Sequence, residues 1–295
     1  MMYTRIAYLG VILIWATTPL AIQWSSAGVG YQFAVTLRMT LGVVASVLLL
    51  CALGQKLPRH PQALRAYLVS GLSIYLSMNC IYWAAQYIPS GWISVVFGLS
   101  PIMTGGLAMW MLEEESMSPH KLLGMVMGVV GLALVFGHGY SSGHQFFLGI
   151  FAVLLGTLIH SFSAVLIKWM QTQLSGVATT TGGLAVATPL FMVSWLLMDG
   201  TLPGTITHRA LLATLYLGVI ASAVGFALYF YILQRMEVGR VALITLITPV
   251  CALALGSLLN HEAVSKEVAM GTGFIVAGLL VYEYGRKYIL YVSGG

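Results

Sequence analysis

The stretch Trp15-Ala-Thr-Thr-Pro-Leu-Ala-Ile-Gln-Trp24 decides the fold, because its plan returns as His160-Ser-Phe-Ser-Ala-Val-Leu-Ile-Lys-Trp169. The same offset, about 145–148 residues, holds outward from it along the whole chain. Gly71 and Tyr82 fall on Gly218 and Tyr229, and Ser100-Pro101 falls on Thr248-Pro249. Glu114 falls on Glu262, and Gly124 and Gly131 fall on Gly271 and Gly278. The chain therefore reads as one unit used twice, over residues 1–141 and 142–295.

Each unit carries five apolar segments. A membrane-crossing helix needs roughly 20 mostly apolar residues. Ten are predicted, at about 5–24, 32–53, 66–87, 90–112, 119–137, 147–167, 178–198, 209–233, 238–259 and 267–287. Of the 295 residues, 59% are hydrophobic and 7% charged, against about 25% charged in a soluble domain. An all-α integral membrane protein is expected. The apolar runs are continuous, not the short alternating segments of a membrane β-barrel. The first segment is too long for a cleaved signal peptide and is read as the first crossing. Because five is odd, the second unit must enter the bilayer upside down. Inverted repeats around a midplane site are a secondary-transporter architecture.

Lysine and arginine set the orientation. With the N-terminus inside, the inner loops and ends receive Arg5, Lys56, Arg59, Arg65, Lys121, Lys168, Arg235, Arg240, Arg286 and Lys287. The outer side receives Arg209 and Lys266, and Arg38 sits within the second span. That bias places both ends in the cytoplasm. It also accounts for the net charge of +5 without a nucleic-acid partner, for which no basic extramembrane domain exists.

Several chemistries lack their residues. There is no P-loop, no G-x-S-x-G elbow, and His261-Glu262 is not followed by the second histidine of a zinc protease. Cys51, Cys80 and Cys251 are scattered, with no metal-ligand or disulfide spacing. No enzyme, cofactor or metal site is expected. The carboxylates Glu113, Glu114, Glu115, Asp199, Glu237, Glu262, Glu267 and Glu283 all fall near span ends. A cation exporter usually needs an embedded acid, and its absence counts against a permanently cationic solute.

The midplane should be lined by the first, third, fourth, sixth, eighth and ninth spans. The first span centres near Trp15, with Thr17, Thr18 and Pro19, and its counterpart the sixth centres near His160, with Thr157, Ser161 and Ser163. In the third span Tyr75, Asn79, Tyr82, Trp83 and Gln86 recur at steps of three and four, placing them along one face. Ser222, Phe226, Tyr229 and Phe230 match them in the eighth span, and Ser94, Phe97, Ser100, Thr245 and Thr248 come from the fourth and ninth. Trp15, Tyr75, Asn79, Tyr82, Trp83, Phe97, His160, Phe226 and Tyr229 are the expected solute contacts, suited to a neutral or zwitterionic solute. Ordinary helix packing is the competing reading for the aromatic stripe, and a helix–helix clamp for Asn79. His160 is the candidate for proton coupling; facilitation down a gradient is the other source of drive. Pro101 and Pro249 are expected gating hinges; a static kink is the alternative. Trp24, Trp169, Tyr31 and Tyr288 are expected interfacial anchors. The glycines of the fifth and tenth spans predict close packing or dimerisation.

Tryptophan in the first span, arginine in the second, Ser90-Gly91 opening the fourth, the Ser100-Pro101 kink, the acidic turn at Glu114 and the glycine-rich fifth span recur in order. This pattern resembles the ten-helix EamA branch of the drug/metabolite transporter superfamily. The resemblance covers essentially the whole chain and implies export of small metabolites, often amino acids, across the bacterial inner membrane. It also implies a central cavity with the fifth and tenth helices at the periphery. A small-molecule solute and the lipid bilayer are the expected partners, for a monomer or homodimer. A multidrug or cation exporter, and a non-transporting membrane enzyme or sensor, are the alternatives.

Overall fold

The computed structural model describes residues 2–112, 119–138, 143–237, 241 and 244–293. The sequence readings at Glu113, Glu114, Glu115 and Arg240 lie outside the described residues, as do those on the side chains of Glu283, Arg286, Lys287 and Tyr288. Among the described residues all regular structure is helical. The helices are α1 (Met2–Ser26), α2 (Tyr31–Ala52), α3 (Pro61–Ala84), α4 (Ser90–Phe97), α5 (Ser100–Met111) and α6 (Pro119–His138). They continue with α7 (His144–Trp169), α8 (Gly176–Met198), α9 (His208–Leu215), α10 (Phe226–Leu233), α11 (Ile244–Asn260) and α12 (Lys266–Ser293). Six stretches are long and apolar enough to cross a membrane: 3–26, 31–52, 90–111, 144–169, 176–198 and 208–233. Shorter apolar helices cover 119–134 and 247–260. The chain is a multi-pass membrane protein.

Local chemistry starts the helices at matching places. Pro61 opens α3, where a missing N–H does no harm, and the His60 side chain accepts from the Ala63 N–H at 3.2 Å. One repeat offset later, Thr207 accepts from the Ala210 N–H at 3.2 Å and opens α9.

Two of the expected spans are interrupted, one of them at its expected proline kink. The span over 90–112 breaks at Gly98-Leu99, between α4 and α5. Pro101 lacks an N–H and its ring clashes with the preceding turn, so the break lies just before it. The counterpart Pro249 stays inside a continuous α11. The span over 209–233 contains a π-helical segment, Tyr216–Gly225, between α9 and α10. No proline marks it, and the sequence reading missed it.

Helices matched by the repeat lie antiparallel against each other. Thr36 Oγ1 donates to the Phe191 carbonyl, Thr188 Oγ1 to that of Met39, and Thr181 Oγ1 to that of Ser46, each at 3.2 Å. Partner numbers fall as numbers on α2 rise, so α2 and α8 run in opposite directions. On α4 the same holds: Gly91 meets Leu253 and Gly98 meets Pro249 of α11.

On α6 and α12 a Cβ at Gly124 would lie 2.5 Å from the Gly278 carbonyl oxygen, and one at Gly131 would lie 2.6 Å from that of Gly271. The expected small-residue faces thus close on each other within the chain. Close backbone approach replaces the hydrophobic drive that lipid cannot supply. Gly124→Leu should force these helices apart, at about 1–3 kcal/mol for overpacking, and lower the melting temperature in detergent. Gly273→Leu, at a site with nothing within 4 Å, should leave it unchanged; equal effects would refute the packing role.

Candidate functional site

Four aromatic rings from four helices meet in the interior of the bundle. The Trp15 ring centroid lies 5.7 Å from that of His160, its repeat counterpart. It lies 5.1 Å from Tyr229 and 6.4 Å from Phe97, the latter edge-on. His160 lies 5.2 Å from Tyr229 and 5.5 Å from Phe97. These spacings are those of favourable aromatic pairs. The cluster draws on α1, α4, α7 and α10.

The cluster divides a chain of cavities. Of the three that His160 borders, one of about 70 Å³ lies on the side toward Glu262 and is lined by Thr18, Arg38, Met78, Ser94 and Thr248 beside Trp15, Phe97, His160 and Phe226. Toward Lys168 lie two pockets of about 10 Å³. One is walled by Ser70, Ser73, Ser77 and Ser163, the other by Ser100 and Thr104. His160 borders all three.

A polar network ties the Glu262 end together. Glu262 Oε1 accepts from Ser90 N–H at 3.1 Å and Ser90 Oγ at 2.7 Å, and Oε2 accepts from Gly91 N–H at 3.2 Å. A carboxylate thereby caps the positive end of α4. Asn260 Nδ2 donates to Glu262 at 3.0 Å and to Gln23 Oε1 at 3.2 Å. Gln23 Nε2 donates to the Ile88 carbonyl at 2.9 Å. Trp24, an expected interfacial anchor, donates its Nε1–H to Asn260 at 3.0 Å, with the Arg209 guanidinium 3.9 Å from its ring.

The nine expected contact residues separate into two groups. Trp15, Phe97, His160, Phe226 and Tyr229 converge at the cavities. The four from α3 lie elsewhere. Tyr75 shares a 2.5 Å hydrogen bond with Ser194, and its ring stacks edge-on to Phe191. Asn79 donates to the Tyr75 carbonyl and accepts from Gln32. Tyr82 is fully buried with its hydroxyl 3.5 Å from Arg38 Nη1, and Trp83 packs on Tyr87. The cavity face of α3 carries Ser70, Ser73, Ile74, Ser77 and Met78, a serine periodicity present in the sequence but masked by the aromatic one beside it.

None of the described carboxylates, at Asp199, Glu237, Glu262 and Glu267, borders these cavities. Among the described residues no group of three or more His, Cys, Asp or Glu is placed to hold a metal.

Comparison with known proteins fixes the family. The model of the EamA-like transporter family matches twice, over residues 3–137 and 147–283. The chain belongs to that family. The chain is 25% identical to the uncharacterized inner membrane transporter YedA of Escherichia coli K12, over 95% of this chain and 90% of that protein. It is 23% identical to the uncharacterized transporter YoaV of Bacillus subtilis, over 97% and 99%. Protein PecM of Dickeya dadantii is 23% identical over 78% and 77%. A solved crystal structure matches with a TM-score of 0.71 at 20% identity, over 95% of this chain and 97% of its own, which establishes a common fold.

Proposed function

We propose that this EamA-family protein is a bacterial inner-membrane secondary transporter that exports amino acids or related zwitterionic or neutral metabolites by alternating access. Ten crossings, with both ends cytoplasmic, form two inverted copies over 1–141 and 142–295. The antiparallel contacts between matched helices support the inversion. The Glu262 end is then the outer one, shut here, and the aromatic cluster lies at the midplane.

One observation carries this reading: a ring cluster built from both copies separates an outer cavity from two inner pockets. A cavity of about 70 Å³ holds a few waters and is too small for an amino acid. Rocking of the copies must enlarge it. The break at Gly98-Leu99 and Pro101 on one side, and Pro249 on the other, are the hinges of that motion. Trp15, Phe97, His160, Phe226 and Tyr229 contact the solute. Cysteines introduced at these positions in turn should be protected from thiol reagents by it.

Purified protein in liposomes should exchange radiolabelled amino acids across the membrane. Quaternary ammonium compounds outcompeting zwitterions would make it a cation exporter. No solute movement alongside turnover of a lipid-soluble substrate would make it an enzyme. His160 is the proton-coupling group, since it borders every cavity along the path and an ionisable group at that depth is a functional candidate. His160→Ala should abolish uptake driven by a pH gradient while downhill exchange persists. Gradient-driven uptake surviving in that variant would remove the role.

A further inference from the structure

The outer cavity holds a fixed cation that the function above leaves unused. Arg38 on α2 is 2% exposed and borders that cavity. Its Nε donates to Ser222 Oγ at 3.0 Å, and Nη1 lies 3.5 Å from the Tyr82 hydroxyl. The first bond depends on close approach of α2 to the π-helical segment, where a Cβ at Gly42 would lie 2.9 Å from that of Ser222. These contacts leave guanidinium donors over, in a group that stays protonated in any protein setting. Both partners are hydroxyls. The guanidinium carbon also lies 5.8 Å from the Tyr82 ring centroid, and among the described residues no carboxylate borders the cavity with it.

We propose that Arg38 is the anchor for a carboxylate on the solute, so that the chamber selects small organic acids, amino acids among them. This rests on the transport reading above. The planar guanidinium matches a carboxylate through paired N–H donors. A single fixed cation matches a singly charged group, which favours a carboxylate over a phosphate dianion. Thr18, Ser94 and Thr248 stand ready for the solute's remaining polar atoms, and Trp15, Phe97 and Phe226 for an apolar body. A fixed cation also repels cationic solutes, in keeping with a cavity that no described carboxylate borders.

The test measures binding to the purified protein by thermal shift and calorimetry, with leucine, phenylalanine, 4-methylpentanoate and 3-phenylpropionate against their primary amides. The acids should bind at least about tenfold more tightly than the amides, as expected where a buried charge loses its partner. Arg38→Gln should erase that preference, and Arg38→Lys should keep part of it. Met78→Glu, which puts a carboxylate into the same cavity and leaves Arg38 with its Ser222 and Tyr82 contacts, should erase it too, whereas Met78→Gln should not. A purely structural Arg38 would give the native protein no acid preference for Met78→Glu to erase.

Equal binding of acids and amides by the native protein, or a preference that survives Arg38→Gln, overturns the proposal. If amides are also carried in liposomes, the transport reading stands and only the anchor falls. If neither series binds or moves, both fall.

Discussion

Glu262→Ala should open the outer end of the protein. The carboxylate takes two backbone N–H groups and one hydroxyl at the start of α4, and a further amide from Asn260. Hydrogen bonds to charged groups are worth about 1.5–3 kcal/mol each, and the helix dipole adds about 0.3–1 kcal/mol. Water reaching the opened end recovers part of this, leaving about 2–4 kcal/mol against the closed state. At about 1.4 kcal/mol per factor of ten, outward-open protein should become at least tenfold more populated.

The readout is a cysteine at Ser94, which borders the outer cavity one turn inward of the latch. In a background lacking Cys51, Cys80 and Cys251, a membrane-impermeant maleimide added from outside should label Ser94→Cys at least tenfold faster when Glu262 is alanine. Glu262→Gln should be intermediate, because an amide oxygen still accepts from α4. An unchanged labelling rate would exclude the latch. Gly256 belongs to the same device: a Cβ there would lie 2.5 Å from Glu262 Oε2, so Gly256→Val should mimic the alanine variant. The repeat nominates Glu114 for the corresponding test on the opposite face.

Trp15→Ala should abolish transport by a protein that still folds. The indole touches three rings of the cluster, all from other helices. Its loss removes about 3–5 kcal/mol of packing and joins the outer cavity to the inner pockets. Alternating access requires a barrier on one side of the solute at all times, and the joined path has none at the midplane. Counterflow of labelled solute should fall to background while gel filtration remains monodisperse. Trp15→Phe, which keeps an aromatic wall, should retain measurable exchange. Native rates in Trp15→Ala would place the solute path elsewhere.

The part of this site that the sequence made legible is the part fixed by the repeat. Trp15 and His160 match each other at the repeat offset of the sequence, and their ring centroids lie 5.7 Å apart. Phe97 and Tyr229 join them from α4 and α10, both of which pack on α1. The third helix was less legible for a physical reason. It packs against α2, α7 and α8 at once, so it has no single apolar arc, and periodicity at 75, 79, 82 and 83 cannot say which neighbour the stripe faces. The small serines at 70, 73 and 77 turn to the cavity, while the bulky rings fill gaps between helices.

Proline announced the interruption before Pro101, since a missing donor can be read from residue type. The π-helical segment at Tyr216–Gly225 packs against α2 and has no such marker. Nor could the Glu262 latch be found from one copy alone. Its partner lies 172 residues away, although the acidic turn and the Ser90-Gly91 helix start were both visible.

Inversion of the two copies is the claim on which the rest depends, and two cysteines test it. Lys56 and Gly204 are equivalent by the repeat, at an offset of 148 residues, and both are exposed in loops. In the cysteine-free background, impermeant maleimide added to intact cells should label Gly204→Cys and leave Lys56→Cys untouched until the membrane is permeabilised. Labelling of both from the same side would contradict the inversion, and with it the midplane chamber.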